Sequence, residues 1–330
     1  MSSASRTFEY KPMKGFFGHE DDPEAWSEWP ATGTTPAITK KWRAKTRKGL
    51  DLGKAKEPND FFRHVEGAMV DDGEGGKVAS WQSFADHLEK LNEEGKGKAI
   101  YKLIILIRHG EAAHNFAEKV TYAGSTTWND EEAFNPRWKD ADLTLKGQSQ
   151  ARELNTSYSG WIEDLKMPTP QAYFTSPLKR CLDTTELAYS GLKVPADRPF
   201  KPIVKEFLRE TLNRHYCDKR SLTGADIKKH YPTYEIEEGF TDEDELWKKD
   251  EPRETKEAMT KRAKKLLDDV FSGTDAAIVS FTAHSGMARA LYDAVGAKRI
   301  ALDEAAMLPL FVMATEVKQG EVVKEAEVVE

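Results

Sequence analysis

The sequence predicts an α/β protein, a three-layer α/β/α sandwich around a mostly parallel central sheet. Three observations carry this. From residue 101 onward, stretches that read as strands alternate with stretches that read as helices, and such alternation builds a parallel sheet covered on both faces. The run "LIILI" over Leu103–Ile107 is apolar at every position, as in a strand buried on both faces. The chain has 330 residues, of which 39% are apolar, enough for one large core.

The elements follow in order. Residues 1–100 read as an N-terminal arm rich in Gly, Pro, Lys and aromatics. Trp26, Trp29, Phe61 and Phe62 suggest that it packs on the body. One helix is expected in "ASWQSFADHLEKLNEEG", where Trp81, Phe84, Leu88 and Leu91 recur at helical spacing and Gly95 can end it. Residues 101–317 form the body. Strands are expected at 102–107, 172–176, 202–207, 276–282 and 308–316. Helices are expected near 147–160, 178–190, 223–231, 254–272 and 286–294. Residues 318–330, "KQGEVVKEAEVVE", read as an acidic tail.

Composition narrows the partners. A formal charge of −7 argues against nucleic acid. Cys181 and Cys217 are the two cysteines, too few for a disulfide framework or a structural zinc site. The opening "MSSASRTFEYKPMKG" lacks the apolar run of a signal peptide. No stretch reaches the roughly 18 apolar residues of a membrane helix. The expectation is a soluble, cytoplasmic protein with no membrane partner and no cofactor.

Open α/β sheets bind ligands at the carboxyl ends of their strands. There the first strand is followed by Arg108, His109, Gly110 and, further on, Asn115. The second is followed by "TSPLKRCLDTTELA", with Arg180 in the first turn of a helix. The third leads into "LRETLNRHYCDKRS", with Arg209, Glu210, Arg214, His215, Lys219 and Arg220. The fourth leads into "AHSGMAR", with His284 at a strand-to-helix turn. Arginine grips phosphate oxygens bidentately. A neutral imidazole can attack phosphorus and carry the phosphoryl group, and a carboxylic acid can protonate the leaving oxygen. A small phosphorylated substrate, bound without metal, therefore fits the set. Singly each residue has a plainer role: His109 hydrogen-bonded in a turn, Arg180 in a surface ion pair, Glu210 solvated, His114 packing or capping. The inference belongs to the constellation.

These residues resemble the histidine phosphatase superfamily, the phosphoglycerate mutase-like fold, over about 101–317. "RHGEAAHN" resembles its nucleophile motif, "DADLTLKGQSQA" the following helix start, and "SPLKRCLDTT" the second arginine motif. "FLRE" resembles the general-acid motif and "AHSGMAR" the second histidine motif. The resemblance implies that His109 is the phosphohistidine nucleophile. It implies that Arg108, Arg180 and His284 form the phosphate pocket, that Glu210 donates the proton, and that Asn115 contacts the phosphoryl group. Gly110 would let the chain turn sharply at the strand end. Lys219 and Arg220 either bind a second anionic group of the substrate or are solvated. Insertion 116–141 and segment 211–250 are candidates for a substrate lid, with Tyr122, Trp128, Phe134 and Trp138 lining it or packing on the arm.

Within the family, Ala113 and His114 stand where glycolytic mutases carry an acidic residue and tryptophan. Ala112 replaces the arginine of the acid-phosphatase form, RHGxRxP. The long arm and "HYCDKRS" are similar to fungal phosphoglycerate-mutase-like phosphatases. The resemblance thus implies a phosphatase for a small-molecule phosphate monoester. The alternatives are a phosphoglycerate-type mutase and an inactive phosphate-recognition protein.

Overall fold

In the computed structural model, residues 6–13, 69–71, 77–79, 81–121, 130–164 and 166–317 are described. Trp26, Trp29, Phe61, Phe62, Tyr122, Trp128 and the tail 318–330 lie outside them. The sheet contains β1 (Phe8–Pro12), β2 (Ile100–Arg108), β3 (Ala172–Thr175), β4 (Ile203–Val204), β5 (Glu235–Ile236), β6 (Ile278–Ala283) and β7 (Met307–Glu316). Their order across it is β1–β7–β2–β6–β3–β4–β5. The pairs β2–β6, β6–β3, β3–β4 and β4–β5 are parallel, while β7 runs antiparallel to both β2 and β1. A separate two-stranded hairpin joins Met69–Asp71 to Lys77–Ala79.

The apolar run in β2 is buried on both faces because successive side chains point to opposite sides of a strand. Leu103, Ile105 and Ile107 pack with α1 (Trp81–Glu94), through Trp81, Phe84 and Leu88. The same layer holds α3 (Leu145–Asp164), through Leu154, Tyr158 and Trp161. Ile104 and Leu106 face the opposite layer, α6 (Lys256–Gly273) and α7 (Ser285–Val295). Between these helices in sequence lie α2 (Ala113–Thr121), α4 (Lys179–Tyr189) and α5 (Gly224–His230). The architecture is the expected three-layer sandwich.

Several elements differ from the sequence reading, β5 and the separate two-stranded pair among them. The strand expected at 202–207 has only the two residues of β4, and Glu206–Leu208 turns into a 3-10 helix. There the Glu206 N–H donates to the Glu237 side chain at 2.5 Å rather than extending a ladder. Helix α2, nine residues long, was not anticipated. Nor was β1, which closes the edge of β7 and protects an exposed ladder. Its Phe8 N–H and Tyr10 hydroxyl both donate to Asp268 Oδ1, at 3.1 and 2.7 Å. These bonds tie residues 8–10 to α6.

Candidate active site

Parallel register brings the predicted residues together. Arg108 at the end of β2 is level with Ala283 at the end of β6, and Thr175 of β3 is level with Thr282. The next residues, His109, Ser176 and His284, therefore emerge along one edge. The rings of His109 and His284 lie 5.1 Å apart, and the His109 N–H donates to the Ala283 carbonyl at 3.0 Å.

His109 is buried, and its Nδ1 lies 2.7 Å from the Gly110 carbonyl. A carbonyl can only accept, so Nδ1 carries the proton and Nε2 keeps its lone pair. Burial and the charges of Arg180, His284 and Arg108 hold its pKa well below the ordinary range. The ring is thus a neutral imidazole with a bare Nε2 at neutral pH. His284, completely buried at the N-terminus of α7, is likewise held neutral by burial and Arg180. Its Nε2 is 2.9 Å from Ser176 Oγ and 3.4 Å from Cys181 Sγ.

Arg108 and Arg180 supply fixed cations. Arg108 donates to the Leu302 carbonyl at 2.8 Å and lies 3.5 Å from Glu304. Arg180 donates to the Cys217 carbonyl and to Asp218 Oδ1, both at 2.7 Å. In each, the buried Nε has no hydrogen-bond partner among the described residues. Buried donors rarely stay unpaired, and a phosphoryl oxygen is a suitable acceptor.

The turn after His109 depends on two glycines. A Cβ at Gly110 would lie 2.5 Å from the Gly147 carbonyl oxygen, and one at Gly147 would lie 2.0 Å from the Glu111 carbonyl oxygen. The nucleophile-like motif and "DLTLKG" are therefore two backbones in contact. Glu111, which the sequence reading left without a role, staples them. Its Oε2 accepts from Lys119 and Lys146 at 2.8 and 2.9 Å, and its Oε1 from Thr144 at 3.1 Å. Burial raises its pKa, but the two lysines outweigh it and leave the carboxyl near about 2. Asp140, also unanticipated, binds the Lys179 N–H at 2.9 Å and both the N–H and hydroxyl of Ser221. It ties the insertion to the start of α4. Asn115 is buried at the start of α2, accepts from the Ala112 N–H at 3.1 Å and lies 3.0 Å from His114 Nε2.

Glu210 sits at the N-terminus of α7. It accepts from the Gly286 N–H at 2.9 Å, from the Thr211 N–H at 2.9 Å and from the Ser285 hydroxyl at 3.3 Å. A Cβ at Gly286 would fall 1.8 Å from Glu210 Oε1, so any side chain there would push the carboxylate out of its place. Burial raises the Glu210 pKa, but Arg289 and the two N–H groups prevail and hold it at about 2. Asp218, 2% exposed, behaves oppositely. Burial lifts it to about 6 despite Arg180.

The remaining two predicted residues are not brought to the pocket. Arg220 is buried, and its guanidinium donates to the carbonyls of Leu222, Thr241, Asp242 and Glu243 and pairs with Glu206. This corrects its expected place on the substrate, because its donors are committed to one loop. Lys219 Nζ stands over the rings of Trp247 and Tyr216, 5.1 and 5.7 Å from their centroids. His215, Cys217 and Asp218 offer ligand atoms within 4.8 Å of one another. The surroundings disfavour a cation: Asp218 is paired with Arg180, burial keeps the Cys217 thiol protonated, and Arg214 and Arg253 add positive charge beside His215.

A buried neutral histidine among fixed guanidinium groups, at the strand ends of a mostly parallel sheet, defines a class. The chain belongs to the histidine phosphatase superfamily (branch 1), whose family profile matches residues 104–310. It is 38% identical over 241 residues to a protein of Arthroderma benhamiae named probable phosphoglycerate mutase, covering 72% of this chain and 70% of that protein. It is 31% identical over 253 residues to phosphomutase-like protein 3 of Candida albicans, covering 74% of each.

Proposed function

We propose that the protein is a phosphatase that hydrolyses a small phosphate monoester through phosphorylation of His109. The observation that carries this is the single tautomer of His109, with Nε2 left bare among Arg108, Arg180 and His284. In the first step Nε2 attacks phosphorus, the P–O ester bond breaks, and the leaving oxygen takes a proton. In the second, water attacks the phosphohistidine and frees inorganic phosphate. Arg108 and Arg180 stabilise the charge on the phosphoryl oxygens. Because guanidinium groups do this electrostatic work, turnover persists in EDTA, and its loss with recovery on adding a divalent ion would contradict the reading.

Glu210 is the proposed proton donor. Burial alone would raise its pKa, but Arg289 and backbone N–H groups keep the carboxylate ionised. The proton then arrives with the substrate: a phosphate monoester has its second ionisation near about 6, and its negative charge raises the pKa of a carboxylate beside it. Of the other carboxylates near the motifs, Asp142 is exposed and paired with Lys179. Asp218 is buried and easily protonated, and so stands second in line.

A second reading, a phosphomutase, is favoured by the names of the two relatives. It differs in retaining the phosphoryl group for return to another hydroxyl. One experiment tests both. Rapid quench with labelled substrate traps acid-labile, base-stable phosphate on His109 under either reading. Inorganic phosphate released at the rate of substrate loss, without added bisphosphate, supports the phosphatase; isomerisation that requires a bisphosphate supports the mutase. Absence of a phosphoenzyme rejects both.

A further inference from the structure

The chain between α7 and β7 does more than connect them. Antiparallel pairing of β2 with β7 sets Ile107 level with Met307. The pairing carries on beyond the start of β7. The Arg108 N–H donates to the Ala306 carbonyl at 3.1 Å, and the Ala305 N–H donates to the His109 carbonyl at 3.2 Å. Two more contacts fall on the Arg108 side chain. One terminal nitrogen donates to the Leu302 carbonyl at 2.8 Å, and the other lies 3.5 Å from Glu304 Oε1. Residues 302–306 thus hold Arg108 and His109 by main chain and side chain together.

The loop takes an unfavoured course to do so. Ala305 is buried and has φ 55°, in the left-handed region that residues with a Cβ rarely adopt. Such backbone persists where its surroundings over-determine it, and it gathers at functional sites. The residue before it, Glu304, has a second cation. Lys119 Nζ lies 3.0 Å from Glu304 Oε1, the oxygen that faces Arg108, and 2.8 Å from Glu111 Oε2. A line of alternating charges, Arg108–Glu304–Lys119–Glu111, therefore runs from the phosphate pocket to the carboxylate that staples the turn after His109. Burial opposes the charge on Glu304, but Arg108 and Lys119 outweigh it and lower its pKa.

The two pocket arginines are held alike. Arg180 has the Cys217 carbonyl and Asp218, and Arg108 has the Leu302 carbonyl and Glu304. In both, the buried Nε has no hydrogen-bond partner among the described residues. A guanidinium is planar, so fixing its two terminal nitrogens also fixes the direction of Nε–H. A carbonyl on one nitrogen leaves that plane free to swing; a carboxylate on the other stops it.

We propose that Glu304 is a positioning residue for phosphoryl transfer. Acting through Arg108, and backed by Lys119, it sets the plane of the guanidinium so that Nε–H meets a phosphoryl oxygen. This rests on the reading that the phosphoryl group sits over His109.

The test is a double-mutant cycle of wild type, Glu304→Gln, Arg108→Gln and the double replacement. Gln keeps the shape of Glu304 and removes its charge. The readouts are kcat/KM for p-nitrophenyl phosphate and the affinity for inorganic phosphate by calorimetry, both at a temperature where melts show all four proteins folded. On the wild type, Glu304→Gln should lower kcat/KM about tenfold or more, the scale on which removing an orienting partner acts, and should weaken phosphate binding. On Arg108→Gln it should change either quantity by less than about twofold, because a residue that acts only through another has no effect without it. Two results overturn the proposal: a loss below twofold on the wild type, or the same loss on both backgrounds, which would make Glu304 a support of the loop alone. Should Glu304→Gln fail to fold, Glu304→Asp, which withdraws the charge by one methylene, enters the same cycle and the same outcomes decide. Failure of the phosphatase reading is seen elsewhere, as wild-type protein that forms no phosphoenzyme, while the phosphate-affinity arm still decides the role of Glu304.

Discussion

The floor of the pocket and its rim are built in different ways. The floor is set by backbone register. Arg108 and Ala283 are paired across β2 and β6, and His109 and His284 follow from that pairing with no further choice. The rim, residues 206–255, holds little regular structure beyond short helices and one two-residue strand. It is held by buried arginines: Arg209 on both oxygens of Asp244 and on the Asp218 carbonyl, Arg220 on four carbonyls, Arg262 on three carbonyls and Glu254. A register holds the reacting groups to a fixed geometry. A loop pinned by side chains can change its exposed residues while keeping its course. The comparison suggests that chemistry resides in the floor and substrate choice in the rim, and each replacement below bears on one side of it.

The largest effect is expected at the floor. His109→Ala should reduce turnover by on the order of 10⁴ or more, as loss of a nucleophile does when its partners act with it as a unit. The melting temperature should change little, since the residue is small and its hydrogen bond is to its neighbour. Steady-state rates with p-nitrophenyl phosphate and circular-dichroism melts check this. A variant that keeps a tenth of the wild-type rate would remove His109 from the nucleophile role.

Next comes Glu210, which joins the two regions. Glu210→Gln should lose about 10²–10⁴ in the phosphorylation step with an alkyl phosphate. It should lose much less with p-nitrophenyl phosphate, whose leaving group needs little protonation. The comparison belongs in single-turnover kinetics, because the same carboxylate can act as base in the second step. The pH profiles should separate as well. kcat/KM reports the free species, so its alkaline fall should follow substrate ionisation near about 6 and not Glu210, which is already ionised above about 2. kcat should fall at higher pH, where the bound-state Glu210 loses its proton. Equal losses with both leaving groups, together with a large leaving-group-dependent loss in Asp218→Asn, would move the acid role to Asp218.

The difference between floor and rim also explains what could be read in the sequence. The apolar run ending in Arg108–His109, the "SPLKR" turn and "AHSGMAR" announce themselves because strand burial and turn chemistry are local. So the sandwich and the convergence of His109, Arg108, Arg180 and His284 were legible. Arg220 was not. In "CDKRSLT" it looks like any solvated cation, and only the fold of 241–243 around it shows that its donors are spent. Arg108 and Glu304 come from near the two ends of the body's sequence, and no spacing rule links them. Glu111, Asp140 and Gly147 were hidden for the same reason, since their partners come from other segments. β1 stood inside a stretch whose five residues carry too few apolar positions to mark a strand.

Arg220 gives a smaller effect on a different observable. Arg220→Met removes a buried cation and leaves Glu206 and four loop carbonyls without it. Loss of one partner from a buried pair costs about 3–5 kcal/mol, so the melt should shift down sharply. If the residue only holds the loop, KM should rise for alkyl and aryl monoesters alike at temperatures where the variant is folded. A selective loss on doubly anionic ligands with normal stability would instead return Arg220 to the substrate.

Lys219 is the smallest and most discriminating case, because it sits in the rim sequence beside Arg220 and was expected to act with it. Its ammonium stands over Trp247 and Tyr216, 5.1 and 5.7 Å from the ring centroids. Such contacts are worth roughly 0.5–1 kcal/mol near a surface. Lys219→Gln should therefore lower stability by about that much, a shift of a few degrees at most in the melt. A stacked cation already has a partner, whereas among the described residues Arg253 donates no hydrogen bond and forms no ion pair. The affinity ratio between 2-phosphoglycolate and ethyl phosphate should accordingly change by less than about twofold in Lys219→Gln, measured on the His109→Ala background. A tenfold fall in that ratio would show that the substrate draws Lys219 off its aromatic rings, and would return Lys219 to the substrate.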